Sequence, residues 1–213
     1  MAARRGRDDA GTAARVLDVA ERLVQVRGFN GFSYADIAAE LQITKPALHY
    51  HYASKADLGE ALLTRYAARF ADALAAVDAD STSSPEKLGG YAGLYLDVLR
   101  SRRMCLCGML AAEYQTLPQP MQDSVIRFFD QNEIWLEHVL EQGREDGSLQ
   151  FAGSARDTAR MIVAGLEGAM LVARPYGDIT WFQAAAENLL GSLAPVRHQS
   201  PATSADPAAA RLG

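Results

Sequence analysis

Residues 32–55 read FSYADIAAELQITKPALHYHYASK, and their helix-start signals decide the fold. Ser33 is followed three residues later by Asp36, the spacing of a capping box, and Phe32 and Ile37 flank the cap as a hydrophobic staple. Thr44 repeats the pattern: Ile43 precedes it, Pro46 falls in the first turn where proline is tolerated, and Leu48 takes the inward position. Ser54 and Asp57 form a third box ahead of Leu58. The spacing therefore predicts a short helix at about 34–41, a tight turn, a second at about 45–51, and a third immediately after. Two short helices joined this tightly form a helix-turn-helix, whose second helix is shaped to enter a DNA major groove.

The second helix carries donors suited to that role. Lys45 at its tip can donate to guanine O6 and N7, and Pro46 and Ala47 can press on a thymine methyl. His49, Tyr50 and His51 can donate to phosphates, and Lys55 is expected to neutralise one. The N–H groups of the helix starts at Ser33–Tyr34, Thr44 and Ser54 offer further phosphate positions. A surface helix whose aromatic residues only pack would not need so many polar side chains crowded together.

The segment resembles the DNA-binding domain of the TetR/AcrR family of transcriptional regulators. That family's pattern runs from a glycine after the first helix, through Thr/Ser-x-x-x-Ile-Ala, to Tyr-x-His/Tyr-Phe-x-Ser-Lys. Here those positions are Gly28, Ser33, Ile37-Ala38 and His49-Tyr50-His51-Tyr52-Ala53-Ser54-Lys55, and the resemblance covers about residues 12–63. Two positions depart from the pattern. His49 stands where the family usually has tyrosine. Gln42 stands where it usually has glycine, in a turn that wants a left-handed residue at a cost of roughly 1 kcal/mol.

Outward from this stretch almost every segment reads helical. Ala13, Val16, Leu17, Ala20, Leu23 and Val24 make an apolar stripe at helical spacing over residues 12–27, and Gly28 is a natural stop. Further helices are expected at about 55–77, 86–102, 104–115, 118–143, 155–174 (broken by Pro175 and Gly177) and 179–193. No run alternates with period two. The fold class is all-α, about nine helices: an N-terminal three-helix unit with the helix-turn-helix, then a larger helical domain for ligand binding and dimerisation. The boundaries fall at 1–11 (a flexible basic arm), 12–54, 55–194, and a polar, Pro/Ala-rich tail at 195–213 expected to be disordered.

Charge follows the same division. Residues 1–70 carry a net +2 and the remainder −7, giving −5 over 213 residues. An acidic chain can bind DNA when positive charge is local, and the acidic remainder presents one face only. Arg4, Arg5 and Arg7 are either a tail without consequence or an arm that reaches a minor groove. No stretch approaches the roughly 18–20 apolar residues of a membrane span, and the N-terminus lacks the apolar core of a secretory signal. Two cysteines without a rich spacing fit a reducing cytoplasm.

The resemblance implies that an inducing small molecule or electrophile binds between helices of the second domain, and that two copies of the chain pair through their last two helices. The candidate pocket residues are Tyr66, Phe70, Tyr91, Tyr95, Cys105, Met109, Glu113, Phe128 and Trp135. Candidate dimer contacts are Ile162, Leu166, Ala169, Met170, Trp181, Ala185 and Leu189, which serve equally as an intrachain core. Cys105 follows Arg102 and Arg103 near a helix start, two features that favour a reactive thiolate, and CLCGMLAAE (105–113) resembles electrophile- or oxidant-responsive members of the family. The alternative for Cys105 and Cys107 is a pair of small buried hydrophobes. No metal or other cofactor site is indicated: His49 and His51 belong to the reading helix, and His138 and His198 stand alone. The function expected is a homodimeric repressor, released from a palindromic double-stranded operator by a small-molecule or electrophile inducer; the alternative is a helical enzyme or protein-binding adaptor with a reactive Cys105 pocket.

Overall fold

The computed structural model describes residues 2–195, with side chains from Gly11 onward. Among them are nine α-helices and no strand: α1 Ala2–Arg27, α2 Tyr34–Leu41, α3 Lys45–His51, α4 Lys55–Asp80, α5 Ser84–Arg100, α6 Leu106–Ala112, α7 Gln119–Glu145, α8 Ala155–Tyr176 and α9 Ile179–Gly191. The helix-turn-helix boundaries coincide with those read from the sequence. The capping boxes at Ser33 and Ser54 are both formed, and the Thr44 hydroxyl accepts the Ala47 N–H at 3.3 Å. Gln42 holds φ 55, the left-handed turn that the family resemblance implies there.

Three expectations are corrected. Residues 2–11 continue α1 instead of forming an arm: Ala and Arg favour helix, and Gly6 and Gly11 do not break it. The stretch expected as one helix over 104–115 is α6 plus a 3-10 turn at Tyr114–Thr116. Helix α8 runs through Pro175 to Tyr176 and stops at Gly177, whose φ is 62. The expected tail lies outside the described residues from 196 onward.

The head (α1–α3 and the start of α4) closes over Val16, Ala20, Leu23, Ile37, Leu48 and Leu58, all essentially inaccessible to solvent. Burying each of the Val, Leu and Ile side chains stabilises by about 1.5–3 kcal/mol, so the two short helices owe their order to this core. Helix α4 extends from the head into the body, and its Arg65 bonds Asp18 at 2.7 Å and Glu21 at 3.1 Å on α1. In the body α8 lies between α7 and α9, with Ile162, Leu166 and Met170 in its core. Among the described residues no helix is long and apolar enough to cross a membrane.

Candidate nucleic-acid interface and effector core

Helix α3 buries one side chain, Leu48, and turns the others outward. Thr44, Lys45, Pro46 and His49 are exposed, Ala47 and His51 are half-buried, and Tyr50 is 76% exposed. The Tyr50 ring has the His51 ring edge-on at 5.3 Å and otherwise faces solvent. Ser33 caps α2 with its N–H and its hydroxyl both on the Asp36 carboxylate at 2.7 Å, and the hydroxyl bond, then the N–H bond, holds the Asp36 carboxyl below its ordinary range. Tyr34 is committed inward: its hydroxyl donates to the carbonyls of Tyr52 (3.0 Å) and Ser54 (2.6 Å), and burial raises its pKa to about 12. Its ring lies 4.7 Å from that of His49, whose Nδ1 is 3.0 Å from the Ala53 carbonyl. Ser33, Tyr34, His49 and Lys55 border a notch of about 310 Å³ between the start of α2 and the end of α3.

Lys55 differs from the expectation of a free phosphate neutraliser. Its ammonium donates to the carbonyls of Phe29 and Phe32 and lies over both rings, at 4.7 and 4.2 Å from their centroids. Burial lowers its pKa, while Glu113 and Asp36 oppose that shift. Opening α4 directly above the α1–α2 turn, it ties that turn down.

The candidate pocket residues separate into three groups. Tyr66, Phe70, Tyr91, Tyr95, Phe128 and Trp135 do come together, but as packed rings: Phe70 lies 5.1 Å from Phe128, and Tyr91 stacks on Trp135 at 5.7 Å. Tyr91 donates to Asn132 at 3.0 Å, and Trp135 Nε1 donates to Asp78 at 2.8 Å. Met109 lies away from the rings, its Sδ 3.3 Å from an Arg174 guanidinium nitrogen. Glu113 faces the head: its carboxylate accepts the N–H groups of Phe29 (2.6 Å) and Asn30 (3.2 Å), while Asn30 donates to Thr116 at 2.7 Å. The expected partner of Glu113 is thus the turn after α1 and not a ligand.

Cys105 is buried beside the ring cluster, with the Tyr66 hydroxyl 3.8 Å from its sulfur. Burial and then the charge of Glu167 push its thiol well above the usual range. Of the two readings of Cys105 this favours the small buried hydrophobe over the thiolate: the helix start is present, but low polarity and a neighbouring carboxylate outweigh it. Cys107 is also buried, its thiol raised by the same burial, and both cysteines are free. Glu167 on α8 is a site residue that the sequence reading missed. Burial raises its carboxyl pKa, hydrogen bonding toward Cys105 and Tyr95 draws it partly back, and its Oε1 has no hydrogen-bond partner. The available signal was a lone carboxylate in the Ala/Gly/Leu-rich run AGLEGAM.

Of the expected dimer contacts, those on α8 turn largely inward, while Trp181 and Ala185 on α9 stand open. Ile162, Leu166 and Met170 are fully buried within one protomer, Ala169 is half-buried, and Leu189 packs where a side chain at Gly165 would lie. The open apolar face of α8 is instead Met161, Ala164, Gly168, Leu171 and Val172, joined by exposed Trp181 and Ala185 on α9. The most apolar residues of an amphipathic helix go to its own core, leaving smaller and mixed residues outside.

Comparison with known proteins follows the same division of the chain. Residues 16–62 match the family described as bacterial regulatory proteins, tetR family, and residues 84–189 match the tetracyclin repressor-like C-terminal domain. A TetR-family transcriptional regulator from Agrobacterium tumefaciens is 31% identical, with 88% of this chain and 100% of that chain covered and a TM-score of 0.85. A TetR transcriptional regulator from Legionella pneumophila is 33% identical, with 84% and 95% covered and a TM-score of 0.77. The HTH-type transcriptional repressor NemR of Escherichia coli K12 is 25% identical over 167 residues, spanning 76% of this chain and 84% of that protein.

Proposed function

The chain belongs to the TetR family of bacterial regulatory proteins, and from that premise we propose that it is a homodimeric repressor released from a palindromic operator by a small-molecule inducer. It is a DNA-binding transcriptional regulator. The observation that carries the fuller reading is the outward face of α3, where Lys45, Pro46, His49 and Tyr50 stand exposed around a fully buried Leu48. Lys45 reads base edges in the major groove, and the notch at Ser33 and His49 receives a backbone phosphate. One such helix reads few base pairs, so two-fold pairing doubles the contacts and sets the half-site spacing. The open stripe of α8 and α9 supports a second copy as the partner.

Repression is relieved through the joint between body and head. Glu113, Arg174 and Met104 of the body hold Phe29, Val26 and Gln25 at the end of α1, and an inducer favours the arrangement in which the two heads no longer span adjacent grooves. A gel-shift and footprinting experiment against fragments of the host genome tests the reading. It is expected to yield one protected, near-palindromic site whose affinity falls steeply with added salt. Retardation of no fragment, or of all fragments equally, would remove the proposal.

A further inference from the structure

Between the turn that follows α5 and the α8–α9 junction lies a cavity of about 410 Å³, within the size range of small-molecule sites. Its floor is apolar: Leu99, Met104, Ala173 and Ile179. Its rim carries three guanidinium groups, Arg102, Arg103 and Arg174, against one carboxylate, Asp178. That carboxylate is engaged as the cap of α9, accepting the Thr180 N–H at 2.9 Å. Among the described residues, none of the three arginines has a carboxylate within ion-pairing distance, whereas Arg65, Arg69, Arg156 and Arg160 all do. The turn itself is unusual, since Arg102 takes a left-handed backbone with φ 55, a conformation that a non-glycine residue adopts only where its surroundings impose it.

The same wall touches the head. Arg174 donates from one nitrogen to the Val26 carbonyl in the last turn of α1, and the Met104 N–H donates to the Gln25 carbonyl at 3.2 Å. Arginine has five N–H donors in a planar fork and bonds a carboxylate more strongly than a neutral carbonyl. A carboxylate entering the cavity would therefore compete with Val26 for Arg174.

We propose that this cavity binds a small amphipathic organic anion, its carboxylate held by Arg102, Arg103 and Arg174 and its hydrocarbon portion on the Leu99–Met104–Ala173–Ile179 floor, and that occupancy loosens α1 and lowers operator affinity. This rests on the reading of the chain as an inducer-released regulator, for which it names the inducer class. Charge alone would leave the floor unused, and an uncharged apolar molecule would leave three cations unpaired at the rim.

Sodium octanoate is the probe, with octan-1-ol lacking the charge and sodium acetate lacking the hydrocarbon. Isothermal titration of the full-length protein without DNA is expected to show saturable binding of octanoate, with both controls at least about tenfold weaker. The R102Q/R103Q double variant, verified as folded by circular dichroism, is expected to lose octanoate binding by about tenfold or more. Arg100→Gln, which removes a nearby charge paired with Asp97 outside the cavity, is expected to retain it. Octanoate is also expected to release the operator fragment from the wild type and not from the double variant. Absence of saturable octanoate binding, equal binding of octan-1-ol, undiminished binding to the double variant, or binding without operator release would each overturn the proposal. The gel shift without octanoate tests the regulator reading separately, so failure of one is distinguishable from failure of the other.

Discussion

Gln42 holds a backbone conformation that costs a side-chain-bearing residue about 1–2 kcal/mol. Gln42→Gly is therefore expected to stabilise the fold by about 0.5–1 kcal/mol, part of the relief being lost to the freer unfolded chain, and urea denaturation measures it. Lys45 has no such internal duty. Lys45→Ala is expected to cost about 1–3 kcal/mol of operator affinity and to flatten discrimination between base substitutions, read by gel shift on a panel of mutated sites. Glu167 titrates in the unusual direction. Burial raises its carboxyl pKa in the folded chain, so stability is greatest where the group is protonated in both states and falls as pH rises from the ordinary carboxylate range through the raised folded value. Glu167→Gln removes that fall. Its melting temperature is expected to exceed the wild type's at neutral pH and to converge on it in acid, and a constant difference across pH would contradict the assignment.

Elements are joined here by a few side chains reaching between helices. The turn after α1 is held from two sides, by the Lys55 ammonium on the Phe29 and Phe32 carbonyls and by the Glu113 carboxylate on the Phe29 and Asn30 N–H groups. Gly28 makes the arrangement possible. Its φ is 83, and a Cβ there would lie 2.5 Å from the Glu113 Oε1. Gly28→Ala thus imposes both backbone strain and displacement of the carboxylate, and is expected to destabilise by more than about 1 kcal/mol. Glu113→Ala leaves the backbone free but loses two charge-assisted bonds, with an expected cost of about 1–2 kcal/mol. If the joint carries the inducer's signal, Glu113→Ala also reduces the inducer-driven change in operator affinity. A variant that is destabilised yet fully inducible would confine Glu113 to a structural role.

At the scale of the whole molecule, α8 has one face in the protomer core and one open to solvent. Leu171 and Val172 are 60% and 51% exposed, and Met161 is 47% exposed, close to small residues at Ala164 and Gly168 that permit close helix approach. Leu171→Glu is expected to dissociate the dimer without unfolding the chain. Light scattering would then report a monomer with a normal helical circular-dichroism spectrum, and operator affinity would fall because two heads are no longer linked. Retention of the dimer would move the interface elsewhere.

Local sequence was enough for the bounds of the helix-turn-helix and for the all-α class, though not for every helix end in the body. Caps at Ser33, Thr44 and Ser54 and the 3.6-residue apolar stripe of α1 are local effects, each written within a few neighbouring residues. Tertiary structure decided which way each functional side chain faces. Periodicity marks Ile162, Leu166 and Met170 as apolar, but only the position of α7 and α9 assigns them to the protomer's own core. Lys55 and Glu113 read locally as a phosphate contact and a pocket carboxylate, and Cys105 as either a thiolate or a buried hydrophobe. The Phe29–Phe32 turn redirected the first two, and burial beside Glu167 decided the third, because charge and hydrogen bonding depend on groups dozens of residues away in the chain.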